Sequence, residues 1–412
     1  MDTSMSASTA SPSEVRQAGP GAARVAIVTG MLGTAGLAVG LLLGRRDGWD
    51  AFFRAYLLNY CYVLSLSLGA LAFVMIQHAT RAGWSVALRR LAEQIAGVIP
   101  FLALLFLPLL IPVLTGMAGV YEWSNAQAVA GDGLLRHKQP YLNPPFFVAR
   151  CVVYFTIWIA LARFYLRRSV EQDATGDVKL TQRMQAWSGP GLLLYGLTVT
   201  FFAIDALMSL NPHWYSTIFG VYFFSGCLVG FFALLALLVY LAQRSGWLTR
   251  SVTIEHFHDV GKLAFGFTVF WAYIAFSQYM LIWYANIPEE TVWYQARQAG
   301  PWWVGVSLLL LVGHFVAPFL ALLARYAKRN KPLLAAAAVW LLLMHWLDLY
   351  YLVAPRTHTA ATPHAPGLFM ELALLAGLGG WFAALLLRGL RRHALLPVRD
   401  PRLAESLTYR NQ

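Results

Sequence analysis

Cysteine and charge are both scarce in this 412-residue chain. The three cysteines, Cys61, Cys151 and Cys227, each sit in an apolar stretch, and none belongs to a Cys-x-x-Cys pattern. That excludes an iron–sulfur or c-type haem site built from this chain's own cysteines. No Gly-rich loop leads into Lys-Ser or Lys-Thr, so nothing points to a phosphate-cradling nucleotide site, and no Gly-x-Ser-x-Gly elbow points to a hydrolase. Charged residues make up only 12% of the sequence, against 58% hydrophobic.

What is present is a succession of long apolar runs, with a mean hydropathy of +0.56. Each is long enough to cross about 30 Å of hydrocarbon, which a soluble core does not require. The sequence predicts ten spans, at 25–43, 52–77, 94–115, 146–166, 189–209, 216–242, 260–285, 302–325, 332–354 and 367–387. They read as helices, because a barrel would alternate polar and apolar residues in runs of about ten. The fold class is therefore all-α, a polytopic membrane protein embedded in the lipid bilayer.

The net charge of +12 does not indicate nucleic-acid binding, because the basic residues gather at helix ends. Most fall in the N-terminal tail, the even-numbered loops and the C-terminal tail. By the positive-inside rule, both termini are expected in the cytoplasm. Residues 1–23, rich in Ser, Ala and Gly, read as a flexible cytoplasmic tail rather than a cleaved signal peptide.

Two sequence landmarks recur. Arg81-Ala82-Gly83-Trp84 returns as Arg244-Ser245-Gly246-Trp247, and Leu161-Ala162-Arg163-Phe164-Tyr165 returns as Leu323-Ala324-Arg325-Tyr326. Asp205 and Asp348 are each followed seven residues later by a proline, Pro212 and Pro355. These recurrences predict two parallel-repeat four-helix bundles, residues 52–215 and 216–355. A peripheral helix (24–51) would precede them, and a tenth helix with a cytoplasmic tail (356–412) would follow. Gly36, Gly40 and Gly44 in span 1 form a small-residue stripe, which points to close approach by a partner subunit.

Acids inside a membrane helix are costly and usually functional. Asp205 and Asp348 lie in the outer third of the predicted membrane, with Glu371 and Arg150 at similar depth. His345 precedes Asp348 by three residues and shares its helix face. Toward the cytoplasm, His258 and Asp259 fall one helical turn before Lys262, and His314 comes midway in span 8. This distribution predicts two polar half-paths for protons, one opening inward through His258, Asp259 and Lys262, the other outward through His345, Asp348 and Glu371. Tyr273, Ser277 and Tyr284 would carry hydroxyls along span 7. A bis-histidine haem on His314 and His345 is disfavoured by their different depths, so no metal is assigned. A quinone pocket near the outer face would draw on the acids, His345 and Tyr350 or Tyr351.

Four stretches carry a resemblance. They are Phe202-Ala203-Ile204-Asp205-Ala206-Leu207-Met208-Ser209-Leu210 with Asn211 through Gly220; His258-Asp259-Val260-Gly261-Lys262-Leu263; the segment from Trp271 to Glu290; and Leu396-Pro397-Val398-Arg399-Asp400-Pro401-Arg402-Leu403. Together they resemble the second quinol-oxidoreductase membrane subunit of bacterial alternative complex III, within the wider NrfD/PsrC-like group of polytopic quinone-interacting proteins. The resemblance implies two four-helix bundles and a place in a quinol:cytochrome c oxidoreductase of the bacterial inner membrane. It further implies a sister NrfD-like membrane subunit, other membrane subunits, and partners carrying iron–sulfur clusters and c-type haems. The chain itself would bind none of these centres, and quinone or quinol is the ligand it could meet. Two alternatives stay open: the quinol-oxidising subunit itself, and a free-standing proton-coupled transporter.

Overall fold

A computed structural model describes residues 18–117, 119–355 and 368–411. Most of the expected N-terminal tail and the segment 356–367 lie outside them. Among the described residues there are no strands, and ten helices are long and apolar enough to cross a membrane. We number them α1 (Gly21–Asp47), α2 (Trp49–Ala79), α3 (Val86–Thr115), α4 (Pro144–Thr175), α5 (Val178–Leu210), α6 (Phe219–Arg244), α7 (Ile254–Ala285), α8 (Gly300–Leu323), α9 (Lys331–Val353) and α10 (Phe369–Leu390). The protein is a multi-pass, all-helical membrane protein.

Packing follows from which helices can bury apolar surface on every side. α2 is buried along 94% of its most apolar stretch and α1 along only 17%, which makes α2 the central post and α1 a peripheral helix. Helices α2 to α5 contact one another in a ring, α6 to α9 form a second ring, and the two meet where α2 packs on α6. That meeting is close because Gly69 lacks a side chain: a Cβ there would lie 2.2 Å from the Cys227 carbonyl oxygen.

α1 packs along α10. A Cβ on Gly36 would fall 2.5 Å from the Ala373 carbonyl oxygen, and one on Gly40 would strike Leu374. A Cβ on Gly44 would meet Phe52 of α2. The glycine stripe expected to receive a partner subunit is therefore filled by the chain's own α10 and α2.

Several boundaries differ from the sequence reading. The loop expected at 167–188 is helical except for a tight turn at Gly176, whose φ of 71° suits a residue without a Cβ. Asn143 and Asp177 cap the N-termini of α4 and α5 by accepting bonds from backbone N–H groups. The recurring words also fold differently. In the first Arg-x-Gly-Trp turn the left-handed residue is Arg81, whereas in the second it is Gly246. Leu161 to Tyr165 lies inside α4, while Leu323 to Tyr326 marks a break, with Ala324 extended before the short helix Arg325–Arg329.

The C-terminal segment docks at the end of the molecule that carries the basic loops. Asp400 pairs with Arg89 of α3. Next to it, Arg90 donates to Glu93 at 3.0 Å, Ser169 Oγ at 3.0 Å and Asp173 at 2.7 Å. At the opposite end, Asp132 caps the short helix Gly133–Lys138 and meets His213 Nε2 at 2.6 Å. The Leu135 backbone N–H, followed by His213, holds the Asp132 carboxyl below its usual range.

Candidate functional site

Asp205 and Asp348 are both fully buried, yet their surroundings differ in kind. Asp205, on α5, accepts from Arg150 of α4 through Nε at 2.7 Å and Nη2 at 3.1 Å, and from the Tyr154 hydroxyl at 2.7 Å. Arg150 and Tyr154 reach it together because they stand four residues apart on one face of α4. The guanidinium is also covered by the rings of Tyr141 and Phe146, 3.9 and 4.4 Å from their centroids. This is a bidentate ion pair with further hydrogen bonds around it, a lock between helices.

Asp348, on α9, has no such cation among the described residues. Tyr222 of α6 donates to its Oδ1 at 2.5 Å, and Trp271 of α7 donates to Oδ2 at 3.1 Å. The Trp271 ring lies 3.8 Å from the ring of His314, centroid to centroid. His314 sits in a π-helical turn, Leu310–Val316, of α8, a local irregularity that recurs at functional sites. Both of its ring nitrogens are buried without a hydrogen-bond partner among the described residues. His345 comes one turn before Asp348 and shares a hydrogen bond through Nε2 with Ser65 Oγ of α2 at 2.8 Å, while its Nδ1 has no such partner there. Two glycines make room: a Cβ on Gly226 would lie 3.1 Å from His345 Cε1, and one on Gly230 only 2.7 Å from Cδ2.

A cavity of about 580 Å³ opens beside this layer, between α7 and α8. Tyr222 and Trp271, the two donors to Asp348, form part of its wall, and Tyr351, Tyr294, Gln298 and Ser307 supply further polar groups. Tyr273 and Tyr279 also line it, and most of the remaining wall is apolar, including Phe276 and Leu308, which are exposed on the surface that would face lipid. Burial holds the Tyr294 phenol above the ordinary tyrosine range, so its hydroxyl stays protonated. Arg297 braces the mouth, donating to the Tyr351 and Leu352 carbonyls at 2.9 Å each and lying 3.3 Å from the Trp293 ring centroid. Comparison of the sequence with protein-family models and with curated proteins gave no match.

The remaining sequence candidates do not join this layer. Glu371 is on α10, where its backbone carbonyl accepts from Asn59 at 2.9 Å and its Oε2 is buried without a hydrogen-bond partner among the described residues. At the basic end, Lys262 pairs with Asp259 rather than with His258. Asn411 of the C-terminal tail closes over that pair, accepting from Lys262 at 2.9 Å and donating to Asp259 at 3.2 Å. His258 is buried, and its Nδ1 has no hydrogen-bond partner among the described residues.

From His258 to Trp271 is about 20 Å along α7. The buried face between them carries Gly261, Ala264 and Thr268, and the Thr268 hydroxyl is bonded to its own helix at 2.8 Å. Along α7 no acid or histidine stands between Asp259 and Trp271, so on this helix the cytoplasmic-side group and the Asp348 layer are two separate clusters. Of the tyrosines expected to carry hydroxyls along span 7, Tyr273 is 64% exposed and lines the cavity, and Tyr284 is 83% exposed.

Of the residues in this layer, the sequence singles out Asp348, His345 and His314 as site candidates, but not Tyr222, Trp271 or Ser65. Those residue types are common in membrane helices, and nothing local marks them. One signal was available: Gly226 and Gly230, four apart in an apolar helix, mark a face that admits a close neighbour.

Proposed function

We propose that this protein is an integral membrane subunit of a respiratory quinol:electron-acceptor oxidoreductase, of the alternative complex III type. Its part is a protonatable layer centred on Asp348, while electrons travel through partner subunits bearing iron–sulfur clusters and c-type haems. One observation carries the reading: the side chains that bond Asp348 are also wall residues of a cavity open toward lipid. A carboxyl held by a phenol and an indole, with no ion pair among the described residues, can gain and lose a proton as its neighbours reorient. His314, with both ring nitrogens lacking a partner among the described residues, and His345, with one, would exchange protons with it or with water. The contrast with Asp205 supports assigning the work to the second ring and the scaffold to the first.

A second reading, that this chain itself binds the quinol, is favoured by the same cavity. Its volume and mostly apolar wall with a few converging polar groups suit a lipid-soluble ring compound. Mild detergent purification of the tagged chain from its native membrane tests both readings. Iron–sulfur and haem c partners with quinol:cytochrome c activity are expected. A colourless chain that purifies alone would sink the assignment and favour a free-standing transporter. A raised quinol requirement in a Trp271→Phe complex would select the second reading over the first.

A further inference from the structure

Two apolar recesses converge on a cluster of cations at the basic end of α10. The larger, about 860 Å³, runs between α1 and α10 past Ala26, Ile27 and Trp381 and ends at Arg388 and Arg391. The smaller, about 350 Å³, lies between α3, α4 and α10, past Phe101 and Leu166, and ends at Arg388, Arg392 and His393. Leu385 and Arg388 line both recesses, forming the ridge between adjacent flanks of the helix.

Among the described residues, no acid lines either recess. Asp173, on neighbouring α4, is held by Arg90 at 2.7 Å. Burial, then Arg90 and Arg392, hold His393 below the usual histidine range, with Asp173 opposing them. The smaller recess also contains Gln94, 4% exposed, whose Nε2 is buried with no hydrogen-bond partner among the described residues.

We infer that this is a site for an anionic glycerophospholipid, with an acyl chain on each flank of α10 and its phosphate among Arg388, Arg391 and Arg392. Charge complementarity selects the headgroup, because basic pockets between membrane helices recruit anionic lipid. The apolar length of the recesses selects a lipid over a free anion. The Gln94 amide lies where it can donate to an ester or glycerol oxygen. Independently of any respiratory role, such a lipid would cement α1 and α10 onto the rest of the fold.

The test is native mass spectrometry of the full chain in mild detergent, supplied with dioleoyl phosphatidylglycerol or dioleoyl phosphatidylcholine. Phosphatidylglycerol is expected to survive activation that strips phosphatidylcholine, and excess inorganic phosphate is expected not to displace it. Arg388→Gln with Arg391→Gln should weaken retention by about fivefold per arginine. Arg325→Gln, in a different basic region, should leave it unchanged. Ala26→Phe fills the larger recess without touching a cation, so it reports on the site even if the arginine variant folds poorly; it too should lose the lipid. Equal retention of both lipids, displacement by phosphate, or full retention in Ala26→Phe would overturn the inference.

Discussion

The indole of Trp271 donates to the buried carboxylate oxygen Oδ2 of Asp348 at 3.1 Å, and the same indole is part of the wall of a cavity open toward lipid. Tyr222 lines the same cavity and donates to Oδ1, so these two side chains stand between the buried acid and the cavity. Trp271 thus stands at a joint between α7, α8 and α9, bonded to Asp348 on one side and against the His314 ring on the other.

The Asp205 pair is expected to behave as structure. Replacing Arg150 with Leu leaves a buried, uncompensated carboxylate and should cost about 3 kcal/mol, whereas the double change Arg150→Met with Asp205→Leu should cost much less. Thermal unfolding of the three proteins in one detergent decides it. A double variant no more stable than the single one would show that Asp205 does more than lock helices.

The glycines of α6 are expected to matter through His345. Gly230→Ala puts a methyl 2.7 Å from His345 Cδ2, which must push the ring off Ser65 and disturb the Asp348 layer. Gly266→Ala meets nothing within 4 Å and should be neutral or stabilise by about 1 kcal/mol, as alanine does in a helix. Melting temperatures and quinol turnover of the two variants provide the comparison. Equal behaviour would contradict the close packing described.

At the end away from the basic loops, stability should depend on acid through Asp132. Its folded pKa is lowered, chiefly by the Leu135 N–H and then by His213. A depressed carboxyl contributes stability that is present above its unfolded value, about 3.9, and is lost as pH falls through the lower folded value. The melting-temperature difference between wild type and Asp132→Ala should accordingly be full at neutral pH and shrink in acid. A difference that grows with acidity would contradict this.

Much of the architecture was legible because the solvent dictates it. A bilayer demands uninterrupted apolar helices, so the ten spans could be placed from hydropathy, and buried acids stand out against them. What those acids bond to was not legible. Arg150 lies 55 residues from Asp205, and Tyr222 lies 126 from Asp348; only the packing of helices decides which meet. The same holds for the glycines of α1, whose spacing announces close approach without saying by whom. The recurring Arg-x-Gly-Trp words did not announce their local geometry: the left-handed position is taken by Arg81 in one and Gly246 in the other, so similar words close different turns.

The most direct test of the central claim is infrared difference spectroscopy of the purified protein across a pH step, comparing wild type, Asp205→Asn and Asp348→Asn. A protonated-carboxyl band that responds to the step and is lost in Asp348→Asn, yet kept in Asp205→Asn, is the predicted result. Persistence of that band in Asp348→Asn would contradict the account.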